Sequence, residues 1–261
     1  MRPRKSPQRH GLAGEAYATV RERIVRGELA IGQVISRRKI AAELGMSFLP
    51  VTEALIRLEN EGLLESRPRA GTRVRVPTRQ DVEGHYVVRE ALEVQAAMLF
   101  AERAEREERA DLLKLARRVD ALSSQSDGDR FVYAALHEKL HQQIAEFARC
   151  PALTAAISRT SAIASTWLCA TRASSRANPL THHQDLMKVL ANGSPVAASE
   201  AMREHIRFSM CNALRRLELY FKLQTKYPQE YPRNSKQLIS LDWVIAESEP
   251  AESVLPSERP A

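Results

Sequence analysis

The sequence predicts a mainly α-helical protein in which an N-terminal winged helix-turn-helix precedes an all-α antiparallel helical bundle. Three observations favour this fold class. Residues 36–76 contain two short helical patterns and a basic hairpin pattern in close succession. Residues 81–222 show helical spacing of apolar residues with no convincing alternating strand. The excess of basic residues lies in the first part of the chain only.

The first helical pattern begins behind Ser36, a candidate N-cap, and ends at Gly45. A second pattern begins behind Ser47 and carries apolar residues at helical spacing from Val51 to Leu58, with Gly62 beyond its end. Two helices separated by so short a turn predict a helix-turn-helix, whose second helix fits the major groove of DNA.

Two β-like runs follow at 63–66 and 72–76, and a basic turn containing Arg67, Arg69 and Gly71 joins them. An amphipathic pattern over Leu12 to Arg26 supplies the remaining helix of a winged-helix core. This arrangement predicts a DNA-binding regulator. The candidate DNA-contacting residues are Arg37, Arg38, Ser47, Phe48, Leu49, Thr52, Arg67, Arg69 and Gly71, although an exposed charge run explains Arg37 and Arg38 equally well.

The distribution of charge supports a nucleic-acid partner. The chain has 261 residues and a net charge of +7. Residues 1–80 hold 16 Lys and Arg against 8 Asp and Glu, whereas the remainder holds 23 against 24. A basic excess confined to the predicted DNA-binding part is the footprint expected for phosphate contacts.

Composition also limits the cellular compartments in which the protein is expected. Three cysteines give no disulfide framework and suit a reducing cytosol. The basic N-terminus has no apolar core behind it that would make a secretory signal, and no uncharged apolar run approaches the roughly 20 residues of a membrane helix. We therefore expect a soluble, cytoplasmic protein without a membrane partner.

The chain divides into four predicted parts: a basic tail at 1–11, the winged helix-turn-helix at 12–77, an all-helical domain at 81–222, and a mostly disordered tail at 223–261. The helical domain should contain six helices, at Asp81 to Arg103, Arg106 to Ser123, Arg130 to Arg149, Ala152 to Ala170, Pro179 to Asn192 and Pro195 to Tyr220. Short turns between them imply antiparallel packing.

Four histidines fall on inward faces of this bundle. His137 and His141 are one helical turn apart, and we expect them about 6 Å apart. His183 and His205 lie at similar distances on either side of the turn at Gly193, so they should reach the same height in a helical hairpin. Four imidazoles at one level predict a divalent transition-metal site, although single inward histidines are usually hydrogen-bonded core residues.

An ordered series of residues resembles the N-terminal domain of the GntR family of bacterial transcription regulators. The series comprises Gly27-Glu28-Leu29, Gly32, Leu44-Gly45, Ser47, Pro50-Val51, Glu53-Ala54-Leu55, Leu58-Glu59, Glu61-Gly62-Leu63, Gly71 and Val74. The family typically has arginines where this chain has Phe48 and Thr52, so the resemblance implies that bidentate guanine recognition by this helix is lost. Phe48 or Leu49 is then left either to contact thymine methyl groups or to pack within the protein.

The helical part resembles the ligand domain of the FadR subgroup of that family. The resemblance is carried by Arg89-Glu90-Ala91-Leu92-Glu93, the helix ending in His141 with Pro151-Ala152-Leu153 after it, His183 with Ala191-Asn192-Gly193, and Ala201-Met202 before His205. It implies a divalent metal, here zinc or nickel, held by an Asp and three His, together with a small carboxylate effector. His137 occupies the usual Asp position, and Arg89 is a candidate effector ligand unless it forms an exposed pair with Glu93.

These observations predict a homodimeric repressor that binds a near-palindromic operator and responds to a small organic acid. One enzymatic alternative exists, because His137-Glu138-Lys139-Leu140-His141 fits the H-E-x-x-H pattern of zinc-dependent hydrolases, with Glu138 as general base. No third ligand of the usual spacing follows that motif, and such an enzyme would leave the winged helix unexplained.

Overall fold

The computed structural model describes residues 9–67, 71–123, 130–169 and 181–226. Within these ranges the helices are α1 (Arg9–Val25), α2 (Arg37–Glu43), α3 (Phe48–Asn60), α4 (Arg79–Arg103), α5 (Arg106–Ser123), α6 (Arg130–Phe147), α7 (Pro151–Cys169), α8 (His182–Asn192) and α9 (Pro195–Lys226). The strands are β1 (Val34–Ile35), β2 (Leu64–Arg67) and β3 (Gly71–Val74). A winged helix-turn-helix followed by a helical bundle is the predicted fold class, which is confirmed.

The N-terminal unit, which we call the head, has a core formed by α1 and α3. Val20 and Ile24 of α1 and Val51, Leu55 and Leu58 of α3 are all buried in one cluster. These residues recur at helical spacing, so each helix places one apolar stripe against the other. The helix α3 packs on α1, α2 and β2, which leaves its opposite face open.

The hairpin of β2 and β3, which we call the wing, is joined by a strand, β1, that the sequence did not reveal. The sheet order is β1-β3-β2 and all pairings are antiparallel, with Val34 opposite Arg73 and Leu64 opposite Val74. With only two residues, β1 is too short to show the alternation by which strands are recognised. It nevertheless fixes the wing to the segment that precedes α2.

The helical body is centred on α4 and α9, which pack along each other. Thr78 and Asp81 form a capping box at the start of α4, with the Thr78 hydroxyl accepting from the Asp81 amide and the Asp81 carboxylate accepting from the Thr78 amide. A large cluster of buried residues, including Phe100, Met187 and Met202, joins α4, α8 and α9. This core holds the inward faces of the helices at fixed heights.

Several predicted bounds need adjustment. Helix α1 begins at Arg9 rather than Leu12, so residues 9–11 are helical rather than part of a tail, and α9 continues to Lys226 rather than ending at Tyr220. The α8 helix begins at His182, and residues 179–180 of its predicted range lie outside the described residues. The rest of the predicted tails, at 1–8 and 227–261, also lies outside them. Among the described helices, none is both long enough and apolar enough to span a membrane.

Gly27 and Gly62 provide a test of how the head meets the body. Both end a helix with positive φ, at +75° and +77°. A Cβ at Gly27 would meet nothing within 4 Å, whereas one at Gly62 would lie 3.2 Å from the Cδ1 atom of Ile163 in α7.

We predict that Gly27→Ala destabilises the fold by roughly 1–2 kcal/mol through backbone strain alone. Gly62→Ala should cost more, because Ile163 must also move. Thermal unfolding of both variants measures the difference. Equal losses of stability would contradict the close approach of α7 to the head.

Candidate metal centre and nucleic-acid interface

Four imidazoles from three helices converge inside the body. His137 and His141 project from α6, His183 from α8 and His205 from α9. The ring centroids of His137 and His141 are 4.6 Å apart, those of His141 and His205 5.1 Å, and those of His183 and His205 5.3 Å. Residues far apart in the chain therefore meet at one level, which is the placement that the spacing around Gly193 predicts.

The nitrogen atoms define the centre of this histidine cluster. Nε2 of His141 lies 3.3 Å from Nε2 of His137 and 3.3 Å from Nε2 of His205. One nitrogen from each of His137, His183 and His205 lies within 4.8 Å of the other two. Ligands about 2.0–2.1 Å from a tetrahedral zinc ion are themselves about 3.3 Å apart, so the observed separations suit nitrogens around one ion.

Two buried carboxylates determine which nitrogens are available. The Nδ1 atom of His141 lies 2.5 Å from Oε2 of Glu93, and Nδ1 of His183 lies 2.7 Å from Oδ1 of Asp120. Because a carboxylate accepts, these Nδ1 atoms carry the protons and each Nε2 presents a lone pair. Nε2 of His183 is buried with no hydrogen-bond partner among the described residues, as expected of an atom awaiting a metal.

The electrostatics of the cluster favour neutral imidazoles. Burial, reinforced by the neighbouring imidazoles, holds the pKa of both His137 and His205 well below the usual range. Burial also lowers the pKa of His183, although Asp120 opposes this effect. Neutral imidazole is the form that can bind a metal ion, and the lowered pKa values of His137, His183 and His205 favour that form.

The carboxylates themselves remain charged despite their burial. Burial raises the pKa of Glu93, but the Arg89 guanidinium and His141 together outweigh it and bring the pKa down to about 2. For Asp120, hydrogen bonds from the His183 ring and from the amides of His183 and Gln184 outweigh burial and lower the pKa. Two negative charges therefore lie behind the histidines and orient them, as carboxylates behind metal-bound histidines do.

Sequence reasoning missed Glu93 and Asp120. Asp120 continues the buried stripe of α5 that contains Leu112, Ala116 and Val119, and an acid on such a stripe signals a buried partner. Glu93 was noticed only as a possible surface partner of Arg89. Neither residue belongs to a sequence motif, since the histidines that Glu93 and Asp120 orient are 48 and 63 residues away, respectively.

A cavity adjoins the histidine cluster. The space within it, counted together with its open mouth, is about 660 Å³. Besides His137, His141, His182 and His183 it is lined by Tyr86, Arg89, Tyr133, Glu138, Ser161, Ala164, Ser209, Asn212, Ala213 and Arg216. Its polar groups are hydroxyls, an amide and guanidiniums, most of which the sequence did not single out.

Arg89 lies at this cavity but not in the exposed pair that the sequence allowed. Its residue exposure is only 4%, and its Nε atom donates to Oε1 of Glu93 at 2.7 Å. The pair forms at the expected i,i+4 spacing, yet it is buried, so the exposed alternative is wrong. Through Glu93, Arg89 is also linked to His141.

His182, which precedes His183 in α8, stacks on His205 with ring centroids 4.6 Å apart. Burial lowers the pKa of His182 to about 4. Its side chain therefore lines the cavity as a neutral ring beside the cluster of His137, His183 and His205.

Glu138 binds the head rather than the cluster. Both of its carboxylate oxygens accept from Nη2 of Arg21 in α1, at 2.9 and 3.0 Å. A general base in an H-E-x-x-H hydrolase must instead reach a metal-bound water. This geometry gives the hydrolase alternative no support.

The outer face of α3 forms the candidate nucleic-acid interface. Phe48 and Leu49 are 54% and 50% exposed, so they do not pack within the chain. Ser47 occupies the N-cap position without a side-chain capping bond, contrary to the predicted cap. The Thr52 hydroxyl donates to the backbone carbonyl of Phe48 at 2.9 Å.

Basic residues lie around this face. Arg38 is exposed at the start of α2, while Arg37 donates from Nη2 to Oγ1 of Thr72 in the wing at 3.3 Å. Arg67 is exposed at the end of β2, and Gly71 begins β3 with φ of +80°. Arg69 lies outside the described residues.

The chain matches two family models. Residues 12–74 match the model described as bacterial regulatory proteins of the gntR family, and residues 85–208 match the FCD domain. Fold, site and matches define a transcription regulator with a DNA-binding winged helix-turn-helix and a helical C-terminal domain. The chain belongs to the GntR family, in the FadR-like subgroup that carries an FCD domain.

Individual relatives agree with this assignment. The chain is 29% identical over 185 residues to a probable D-xylose utilization operon transcriptional repressor of Paenarthrobacter nicotinovorans, which covers 70% of this chain and 80% of the relative. It is 35% identical over 91 residues to an uncharacterized HTH-type regulator of Agrobacterium vitis, covering 35% and 53% of the two chains. These families and relatives are regulators rather than enzymes, which confirms the prediction that the chain is not an enzyme.

Two solved structures show the same fold. E. coli McbR/YncC superimposes with a TM-score of 0.66 at 20% identity, covering 78% of this chain and 98% of the other. A putative GntR regulator from Rhodococcus sp. RHA1 gives 0.66 at 21%, covering 77% and 97%.

Proposed function

We propose that this chain is a cytoplasmic, homodimeric repressor whose FCD domain binds a divalent metal and a small carboxylate effector. The observation that carries the proposal is the convergence of four imidazoles. One nitrogen from each of His137, His183 and His205 lies within 4.8 Å of the other two, Nε2 of His141 lies 3.3 Å from two of these rings, and carboxylates lie behind His141 and His183. The name of the Paenarthrobacter relative, a probable transcriptional repressor, supports repression rather than activation.

The metal proposed is zinc or nickel, because all four donors are imidazoles, which suit these ions better than magnesium or calcium. A divalent cation, when bound, supplies positive charge that attracts a carboxylate oxygen. With His137 at the usual Asp position, the four proposed donors include no carboxylate to offset that charge. Glu93 and Asp120 hold the rings of His141 and His183 in position.

The effector is proposed to enter the cavity beside the histidine cluster. Arg89 lies in its wall, and a guanidinium there favours a carboxylate over a neutral ligand. Glu93 holds the Arg89 side chain in one orientation, so little conformational entropy is lost on binding. The proposed residues thus bind and orient the acid.

For DNA, we propose that residues 12–77, together with the first turn of α1, form the DNA-binding head, and that the helices from α4 to the end of α9 form the sensor domain. Two heads related by two-fold symmetry contact a near-palindromic operator. The proposed contacts come from Arg37, Arg38, Ser47, Phe48, Leu49, Thr52, Arg67, Arg69 and Gly71.

The proposal is tested by footprinting the full chain on DNA from its own genomic neighbourhood, followed by addition of small carboxylic acids. We expect a protected near-palindrome and release by at least one acid in the metal-loaded protein. Arg89→Ala should bind the same DNA but resist release, with Arg79→Ala as an exposed control on the same helix. Release of the Arg89 variant at unchanged acid concentrations would contradict the proposed effector site.

The ion pair between Arg21 and Glu138 connects head and sensor next to His137. Both side chains are about 27–28% exposed, so the pair should contribute less than about 1 kcal/mol to stability. We propose that this contact differs between the ligand-free protein and the protein that holds metal and acid. Arg21→Gln removes the contact, so we predict that it reduces the effect of metal and acid on DNA affinity.

Arg23→Gln is the matched control, since Arg23 lies on the same helix and pairs with Glu28 and Glu43 within the head. Fluorescence anisotropy of labelled operator, with and without metal and acid, measures both variants. Equal coupling in the two variants would exclude Arg21 from the connection.

A further inference from the structure

We infer that α3 selects its operator through the methyl groups of thymine rather than through guanine edges. This inference rests on the proposed DNA-binding function. It concerns a row of side chains, Phe48, Thr52 and Ile56, with Leu49 beside it, which we call the apolar row.

The apolar row is a continuous surface. Phe48, Thr52 and Ile56 are spaced i, i+4 and i+8, so they follow one another along one face of the helix. Phe48 and Leu49 are about half exposed, and Ile56 is 47% exposed. Three large apolar side chains on the outer face of a short helix cost solubility unless a partner covers them.

Apart from the Ser47 hydroxyl at the N-cap, side-chain hydrogen-bond donors are missing from the part of α3 that enters the groove. The N-terminal residues of a recognition helix contact base edges, and the accessible positions of its first two turns are Phe48, Leu49 and Glu53, which are exposed, and Thr52, which is half-buried. The Thr52 proton is committed to the Phe48 carbonyl, and Glu53 can only accept. Guanine presents two acceptors in the major groove, and the single Ser47 hydroxyl cannot donate to both.

The arginine of α3 is held elsewhere. The Arg57 guanidinium lies 3.8 Å from the centre of the Tyr17 ring, and its Nε atom donates to Glu61 at 3.1 Å. Arg57 thus serves the contact between α3 and α1. Apolar contact with the thymine C5-methyl group is the base recognition that remains for the apolar row.

The surroundings identify DNA as the occupant of this surface. Arg38 and Lys39 are exposed at the start of α2, and Arg67 is exposed on the wing. Cations on both sides of an apolar row match a major groove, where phosphates flank base edges. A second protein copy would present the same positive charges and be repelled.

The test uses the full chain and a library of random DNA duplexes. We expect enrichment of thymine at the positions that face α3. Replacing one contacted thymine by deoxyuridine, which removes only the methyl group, should weaken binding about fourfold, the equivalent of one buried carbon. A cytosine placed there should bind better when it is 5-methylated.

Two variants assign the effect. Phe48→Ala should abolish the difference between thymine and deoxyuridine at one position, and because Phe48 is exposed the fold should persist. Val196→Ala, which truncates an exposed apolar residue of α9, should retain the difference.

Equal affinity for thymine and deoxyuridine at every position, or selection of guanine opposite α3, would overturn the inference while leaving DNA binding intact. A change of oligomeric state in Phe48→Ala without any change in methyl discrimination would also overturn it. Absence of any salt-sensitive DNA binding would instead reject the proposed function itself.

Discussion

Replacing His141 and His183 together by alanine is expected to leave the protein with almost no bound divalent metal. Each substitution removes an imidazole whose Nδ1 atom donates its proton to a buried carboxylate, so that its Nε2 atom presents the lone pair proposed to bind the metal. Elemental analysis after loading with zinc or nickel and dialysis measures the loss. DNA binding without effector should survive, because neither residue belongs to the head.

The carboxylates allow a graded version of this experiment. Asp120→Asn keeps the size of the side chain but removes the charge behind His183, and loss of such a partner lowers metal affinity about 10–100-fold. Asp185→Asn is the matched control, because Asp185 lies on α8 close to His183 but is exposed and pairs with Lys188. Helicity by circular dichroism verifies folding. Unchanged metal content in the double histidine variant would reject the metal site.

Sequence spacing predicted the heights of the histidines because helical rise is uniform. Counting from Gly193 placed His183 and His205 level, and the structure places their ring centroids 5.3 Å apart. The His137 and His141 rings are 4.6 Å apart rather than about 6 Å, since the side chains turn toward each other as well as outward from the same face. The position of a residue along a helix axis is thus predictable from the local sequence spacing.

Contacts that depend on tertiary packing were not predictable in this way. Arg21 and Glu138 are separated by 117 residues, and nothing in either helix indicates the other. Whether the Glu93 side chain would face solvent or contact His141 depended on where α6 packs against α4. Likewise, whether Phe48 and Leu49 would be buried depended on the absence of a described helix over the outer face of α3, which no local pattern records.

DNA affinity is expected to fall steeply as salt is raised. The first 80 residues carry the excess positive charge, and each phosphate neutralised by a Lys or Arg releases counterions. If six to ten phosphates are contacted, affinity should fall by about 10³–10⁵ between 50 and 200 mM salt. The double variant Arg37→Ala, Arg38→Ala should reduce the slope of log affinity against log salt by about 2, one for each lost contact.

Lys114→Ala with Lys188→Ala is the matched control, because it removes the same charge from exposed positions of α5 and α8 in the sensor domain. Its slope should equal that of the unaltered protein, since phosphate contacts and not net charge determine counterion release. Equal slopes in the two double variants would mean that Arg37 and Arg38 are exposed charges at the start of α2 that contact no phosphate. A flat salt response in the unaltered protein would remove the basis for placing the head in a DNA groove, because the charge asymmetry of the chain would then have no phosphate partner.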